Sequence, residues 1–189
     1  MRLFQQDKEK RIAEGIRKGS HTAMKELYDE WSGYLFALCL RYVPDRDTAS
    51  DILQDSFMKI FSKADSFEYK GPGSLKAWIS RIAVNEALQY LRKKKGGEMV
   101  EYKDNLPDIV TEEPGETDIG AIPSSILQKM IEDLPEGYRT IFNLFVFEEM
   151  SHKEIAAALG ISESTSASQF HRARKLLAKR IKEYGKGLD

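Results

Sequence analysis

The run ISESTSASQFHRARKLL, residues 161–177, concentrates hydroxyls in its first half and cations in its second. Hydroxyl, imidazole and guanidinium groups donate and accept hydrogen bonds in fixed geometries, which suits the edges of nucleic-acid bases and the phosphates beside them. Wound as an α-helix at about 100° per residue, the run puts Ser164, Ser168, His171, Arg172 and Lys175 on one side and Phe170, Ala173 and Leu177 on the other. A second constellation has a related character. On a helix from Ser74 to Arg92, Leu75, Ile79, Ile82, Ala83 and Tyr90 share an inner face. Ser74, Trp78, Arg81, Asn85 and Arg92 form a stripe about a third of a turn away. An aromatic ring, an amide and two guanidinium groups in one line suit a single strand, whose bases stack and whose phosphates need neutralising. Each stripe also has a plainer reading as the solvated face of an ordinary helix, with Trp78 as core at the helix edge.

The elements that must position these residues are legible around them. Upstream of the first run, Ser151 and Glu154 have the S-x-x-E spacing of a capping box, and Ile155, Ala156 and Leu159 form an inner helical face. Gly160 permits the left-handed residue that ends this helix, and Ser162 caps the next one with Thr165 at its third position. The result is a helix, a tight glycine turn and a second helix, the arrangement that lays its second helix in the DNA major groove. Small alanines in the supporting helix allow the close crossing. In the first half of the chain, Trp31, Leu35, Leu38, Cys39 and Tyr42 follow helical spacing, as do Ala49, Leu53, Phe57, Ile60 and Phe61, with Pro44, Asp45 and Asp47 marking the turn between. The expected fold is all-α.

Charge divides the chain. The net charge of the 189 residues is only -1, but Glu98 to Asp118 holds eight acids against Lys103, and Arg172 to Lys186 holds seven bases against Glu183. A further basic block, RKKK at 92–95, precedes the acidic stretch. That stretch carries Gly96, Gly97, Pro107, Pro114, Gly115, Gly120 and Pro123 and no helical or alternating pattern, so residues 96–123 read as a linker between two small helical domains, 1–95 and 124–189. Cys39, the single cysteine, sits in the apolar run YLFALCLRYV and reads as a buried hydrophobe. The amino terminus lacks the apolar core of a signal peptide, and no stretch approaches the length needed to span a bilayer, so a cytoplasmic protein without membrane insertion is expected. His21, His152 and His171 lie on separate segments with no cysteine or acid at ligand spacing, and no phosphate-binding glycine loop or nucleophile motif is present. No catalytic residue, metal, cofactor or small-molecule substrate is expected. Residue pattern alone leaves open a two-domain regulator that binds DNA on its own and a helical protein adaptor.

A family resemblance narrows them. The segment LPEGYRTIFNLFVFEEMSHKEIAAALGISESTSASQFHRARKLL resembles region 4 of the extracytoplasmic-function sigma factors of the sigma-70 family. DTASDILQDSFMKIF and SLKAWISRIAVNEALQYLRKKK resemble two helices of region 2. The likeness runs from about Ala23 to Ile181, with both regions in the order the family has them.

The resemblance implies a bacterial initiation factor whose partners are core RNA polymerase and promoter DNA, and it leaves room for an anti-sigma factor. By the same likeness, Ser164, Thr165, Ser168, Gln169, His171, Arg172 and Lys175 would meet the minus-35 duplex. Tyr69, Lys70, Trp78, Arg81, Asn85 and Arg92 would take the minus-10 element. Asp51, Leu53, Gln54 and Asp55 would dock on a coiled coil of the largest polymerase subunit, the acids answering basic residues there. Three departures stand out: the loop FEYKGPGSLKAW is about two residues longer than the family's pattern, Ala167 replaces a basic residue, and Ser166 stands on the buried face where many members have valine. The resemblance places the acidic linker along the path later taken by nascent RNA, where it would act either as an RNA mimic or as a spacer.

Overall fold

A computed structural model describes residues 2–94 and 122–186. Among them every regular element is a helix. The chain divides into two compact units, Met1–Lys94 and Lys95–Asp189. The acidic stretch expected as a linker falls outside the described residues except for Ile122 and Pro123.

The first unit contains α1 (Arg2–Arg17), α2 (His21–Tyr42), α3 (Arg46–Ser62), a short 3-10 turn (Ala64–Ser66) and α4 (Ser74–Lys94). Helices α2, α3 and α4 pack on one another, and α1 lies chiefly against α2. The ends of the helices follow from local chemistry. Ser20 accepts a hydrogen bond from the Ala23 amide to start α2. Pro44 cannot extend a helix, so α2 stops at Tyr42, and the Asp45 carboxylate takes the Thr48 amide at 2.9 Å and the Thr48 hydroxyl at 2.6 Å to start α3. These bonds hold the Asp45 carboxyl below its ordinary value.

The core of this unit is one apolar cluster fed by all four helices. Ile12 and Ile16 of α1, Leu27, Leu35, Leu38 and Tyr42 of α2, Ile60 of α3, and Leu75 and Ile79 of α4 are fully buried. Cys39 is buried among them, and desolvation pushes its thiol up to about 12, so the side chain behaves as a small hydrophobe.

The second unit contains α5 (Ser124–Glu132), α6 (Glu136–Val146), α7 (His152–Leu159) and α8 (Glu163–Lys186). Leu134, Tyr138, Ala173 and Leu177 form a core with Met130, Ile131, Phe142 and Leu176 against it. The carboxyl-terminal end of α5 is held by two guanidinium groups. Arg139 donates to the carbonyls of Glu132 and Leu134, each at 2.9 Å, and Arg180 donates to those of Met130 at 2.7 Å and Asp133 at 3.2 Å. Helix ends leave carbonyls without intrahelical partners, and cations are favoured there by the helix dipole. Arg180, one of the seven bases of the carboxyl-terminal block, is therefore engaged inside the unit.

Close approach of α1 to α2 depends on a missing side chain. A Cβ added at Gly15 would lie 2.4 Å from the Cβ of Ala23. Alanine would gain up to about 1 kcal/mol of helix propensity over glycine, while overpacking costs about 1 to 3 kcal/mol, so the clash wins. Gly15→Ala is expected to lower the urea midpoint, and Gly15→Ala with Ala23→Gly to recover most of it. A single variant as stable as the parent would show that α1 shifts without cost.

Candidate nucleic-acid interface

Helices α7 and α8 form the expected helix-turn-helix. Ser151 and Glu154 make both halves of the capping box: the Glu154 carboxylate accepts the Ser151 amide at 2.8 Å, and Ser151 Oγ accepts the Glu154 amide at 3.3 Å. Gly160 has φ 70°, and the amides of Gly160 and Ile161 both return to the Ala156 carbonyl, at 2.9 and 3.1 Å. Ser162 Oγ then accepts the Thr165 amide at 3.0 Å and contacts the hydroxyls of Ser164 at 2.8 Å and Thr165 at 2.7 Å.

Behind the turn, an aromatic stack joins α6, α7 and α8. Phe145 lies 4.7 Å from the His152 ring and 4.3 Å from Phe170, measured between ring centres. His152 Nδ1 stands 3.0 Å from the hydroxyl of Ser166, which is fully buried. The serine in place of the family's valine is thus paired with an imidazole on the supporting helix, and each polar group satisfies the other.

Helix α8 sorts its side chains by face. Ser164, Ser168 and His171 are exposed, while Thr165, Arg172 and Lys175 are half-buried. Gln169 departs from expectation: it is 5% exposed, and its Oε1 has no hydrogen-bond partner among the described residues. It sits three residues after Ser166 and four before Ala173, both fully buried, so it belongs to the inward stripe and is removed from the set facing outward.

Helix α4 carries the second stripe. Arg81, Asn85 and Arg92 are exposed and Trp78 is half-buried, its ring 4.8 Å from that of Phe67. Leu75, Ile79, Ile82 and Ala83 are buried as expected, but Leu91 closes that face, and Tyr90 is half-buried beside it. The loop before α4 holds Tyr69, half-buried, and Lys70, exposed. Ser74 Oγ accepts the Lys70 amide at 3.2 Å and donates to the Gly71 carbonyl at 2.6 Å.

The amino-terminal end of α4 is capped from another helix. Glu9 of α1, 8% exposed, accepts from the amides of Gly73 at 2.8 Å, Leu75 at 3.0 Å and Lys76 at 3.3 Å. Sequence reading missed this residue. Its only signal is position, since Glu9, Ile12, Ala13 and Ile16 share the spacing of one helical face.

On α3, Asp51, Gln54 and Asp55 are exposed at positions i, i+3 and i+4. Met58, 66% exposed, extends the same row. Leu53 is 8% exposed and packs inward with Ala49 and Phe57, so it does not belong to that surface. Among the described residues, no three His, Cys, Asp or Glu side chains lie together as metal ligands, and no helix is long and apolar enough to cross a membrane.

Comparison with known proteins gives this geometry a family. Residues 27–96 match the family model Sigma-70 region 2, and residues 124–177 match Sigma-70, region 4. The chain is 30% identical over 185 residues to the ECF RNA polymerase sigma factor SigW of Bacillus subtilis, covering 92% of this chain and 96% of that one. The chain belongs to the ECF sigma factors. It is also 25% identical to the RNA polymerase sigma-H factor of Pseudomonas aeruginosa, over 95% of this chain and 96% of that relative. Among solved structures it resembles the sigma factor RpoE from Bartonella quintana, crystallised in complex with the anti-sigma factor NepR. That likeness has 27% identity and a TM-score of 0.50, and it covers 84% of this chain and 96% of that one. CnrH, solved with the cytosolic domain of CnrY, shares the fold at 19% identity and a TM-score of 0.50, over 93% of this chain and 98% of that one. The region 2 match begins at residue 27, so α1 and Glu9 precede it.

The capping box of this sigma factor carries a pH dependence. The Ser151 hydroxyl, then the Ser151 amide, hold the exposed Glu154 carboxyl below its ordinary value of 4.5. A lowered carboxyl contributes stability above the unfolded value and loses it as pH falls through the folded one. Hydrogen exchange of the α7 amides, corrected for intrinsic rates, should therefore accelerate from about pH 5 downward. Glu154→Gln should flatten that response; an equal slope in both proteins would show that the box adds nothing.

Proposed function

We propose that this sigma factor directs core RNA polymerase to promoters through three surfaces, one each on α8, α4 and α3. The observation that carries the reading is the division of α8: hydroxyl, imidazole and cationic groups face outward while Ser166, Gln169, Ala173 and Leu177 are sealed inside. A helix so divided can enter the major groove without disturbing its own core.

In this reading the outward groups of α8 meet the minus-35 duplex. Ser164, Ser168 and His171 offer small hydrogen-bonding groups to base edges, Arg172 supplies the fork suited to guanine, and Lys175 neutralises phosphate. Thr165 serves mainly as the cap partner of Ser162. The α4 stripe takes the minus-10 strand: Trp78 provides a stacking face, Asn85 an amide able to both donate and accept, and Arg81 and Arg92 the charge. Tyr69 and Lys70 flank the point where an extruded base would enter. On α3, Asp51, Gln54 and Asp55, joined by Met58, form the docking surface for core polymerase. The domains are assigned as 1–95 for core docking and minus-10 opening and 124–189 for minus-35 reading, with 96–123 between them.

The chain acts as a non-catalytic factor in the cytoplasm, and the polymerase supplies the chemistry. Since RpoE is seen with the anti-sigma factor NepR, a protein antagonist of that class is proposed here as well.

The test begins with in vitro transcription using purified core polymerase on genomic fragments, with start sites mapped. A protein that shifts promoter DNA equally well without core would overturn the reading. Arg172→Ala is expected to weaken minus-35 duplex binding by the holoenzyme by about 1 to 3 kcal/mol, the worth of a bidentate base contact, with core affinity unchanged. Asn85→Ala should reduce permanganate reactivity at minus-10 on duplex promoters while a premelted template is bound more nearly as by the parent. Normal opening by that variant would remove Asn85 from the role.

A further inference from the structure

A helix begins with four amides that have no carbonyl of their own helix to donate to. In α4 all four are accounted for. The Ser74 amide donates to the Gly71 carbonyl at 3.1 Å, and the amides of Gly73, Leu75 and Lys76 donate to the carboxylate of Glu9; Ala77, donating to the Gly73 carbonyl at 2.9 Å, is the first helical bond. The first turn of α4 contains no acid of its own. A side chain more than sixty residues earlier in the chain supplies the negative charge that the helix dipole favours there.

We infer that Glu9 is a positioning residue for minus-10 recognition, fixing the loop that carries Tyr69 and Lys70 and closing the amino-terminal end of α4 to DNA phosphate. The inference rests on the assignment of the α4 stripe to the minus-10 strand.

Three anchors hold the loop. At one end Phe67, 6% exposed, packs its ring at a tilt against Trp78, at the other Glu9 grips the Gly73 amide, and within the loop Ser74 Oγ accepts the Lys70 amide and donates to the Gly71 carbonyl. Tyr69 and Lys70 lie between. Glu9 itself cannot swing away, because Ile12, Ala13 and Ile16 on the same face of α1 are buried to 2% exposure or less. The second consequence is electrostatic. Uncapped helix amino termini bind phosphate through the same amides and dipole. With the carboxylate seated on three of those amides and Lys76 of the first turn held over the Tyr34 ring, 4.3 Å from its centre, a strand drawn to α4 meets Arg81 and Arg92 farther along the helix, and its bases pass Trp78 and Asn85. Without it, a phosphate could settle at the helix end in any register.

Glu9→Gln preserves shape but removes the charge and one acceptor oxygen, so the fold should survive while the anchor loosens. The probe is a premelted promoter fragment, taken from a mapped start site, and variants of it with single substitutions in the minus-10 strand, each bound by holoenzyme. Glu9→Gln is expected to reduce the preference for the native base by about tenfold, the effect of losing one charge-assisted hydrogen bond, with core affinity unchanged. In a Trp31→Phe background, acrylamide should quench Trp78 more readily in Glu9→Gln than in its parent, reporting the loosened loop before DNA is added.

Ile12→Val, which weakens the packing of α1 and leaves the carboxylate, is the control for stability. An equal loss of base preference in that control would reduce Glu9 to a structural role and overturn the inference. Unchanged preference and quenching in Glu9→Gln would overturn it too. Asn85→Ala, read by permanganate on duplex promoters, separates the two levels: if it opens them as the parent does while Glu9→Gln retains its effect, the stripe assignment fails and the inference with it. If only Asn85→Ala has an effect, the stripe stands and Glu9 does not. Should Glu9→Gln fail to fold, Glu9→Asp, which keeps charge and both oxygens on a shorter arm, goes through the same fragments with the same criteria.

Discussion

A helix that offers one face to nucleic acid must be held in place by its opposite face and its ends. In both proposed reading helices the opposite face is packed against the rest of the unit, and the amino-terminal end is closed by a group from outside the helix. Helix α8 has Ser162 at its start. Helix α4 has Glu9. Neither closure could come from the reading face without spending a group that DNA needs, which explains why the capping side chains are borrowed from a turn or from another helix.

The same constraint accounts for the polar groups buried behind α8. Ser166 occupies an inward position, and a hydroxyl there requires a partner. His152 provides one at 3.0 Å while its ring extends the stack of Phe145 and Phe170, so a single imidazole closes the aromatic layer and satisfies the hydroxyl. Orientation between the supporting and reading helices thereby gains a directional bond, where valine would leave only packing. Gln169, one turn along the inward stripe, packs its stem on the same side.

Much of this was legible in the sequence because it is local. The capping box at Ser151, the left-handed Gly160, the Ser162 cap and the turn at Pro44 each depend on residues within four positions of one another, and each formed as read. The stripe on α4 was legible from apolar spacing alone. Where the family likeness and the helical phase disagree, burial follows the phase. Gln169, given to the minus-35 set by likeness, shares its phase with Ser166 and Ala173 and is buried. Leu53, given to the docking surface by likeness, repeats with Ala49 and Phe57 and is buried, whereas Met58 is in phase with the acids and exposed. Glu9 was beyond reach for a different reason, since its partners lie more than sixty residues away and no local pattern encodes the pairing.

Charge follows the same division between what a count shows and what contacts decide. The carboxyl-terminal block holds seven bases, and a count would assign them all to phosphate. Arg180 holds the end of α5, and Lys179 lies 3.8 Å from Glu183, an exposed pair worth little by itself but partly neutralising the tail. Of the others, Arg174 and Lys182 are exposed and Arg172 and Lys175 half-buried, the last two at the point where the hydroxyl groups give way to charge. In the proposed reading, Arg172 and Lys175 place phosphate attraction beside the bases, so the contact that draws the helix in would also set its register.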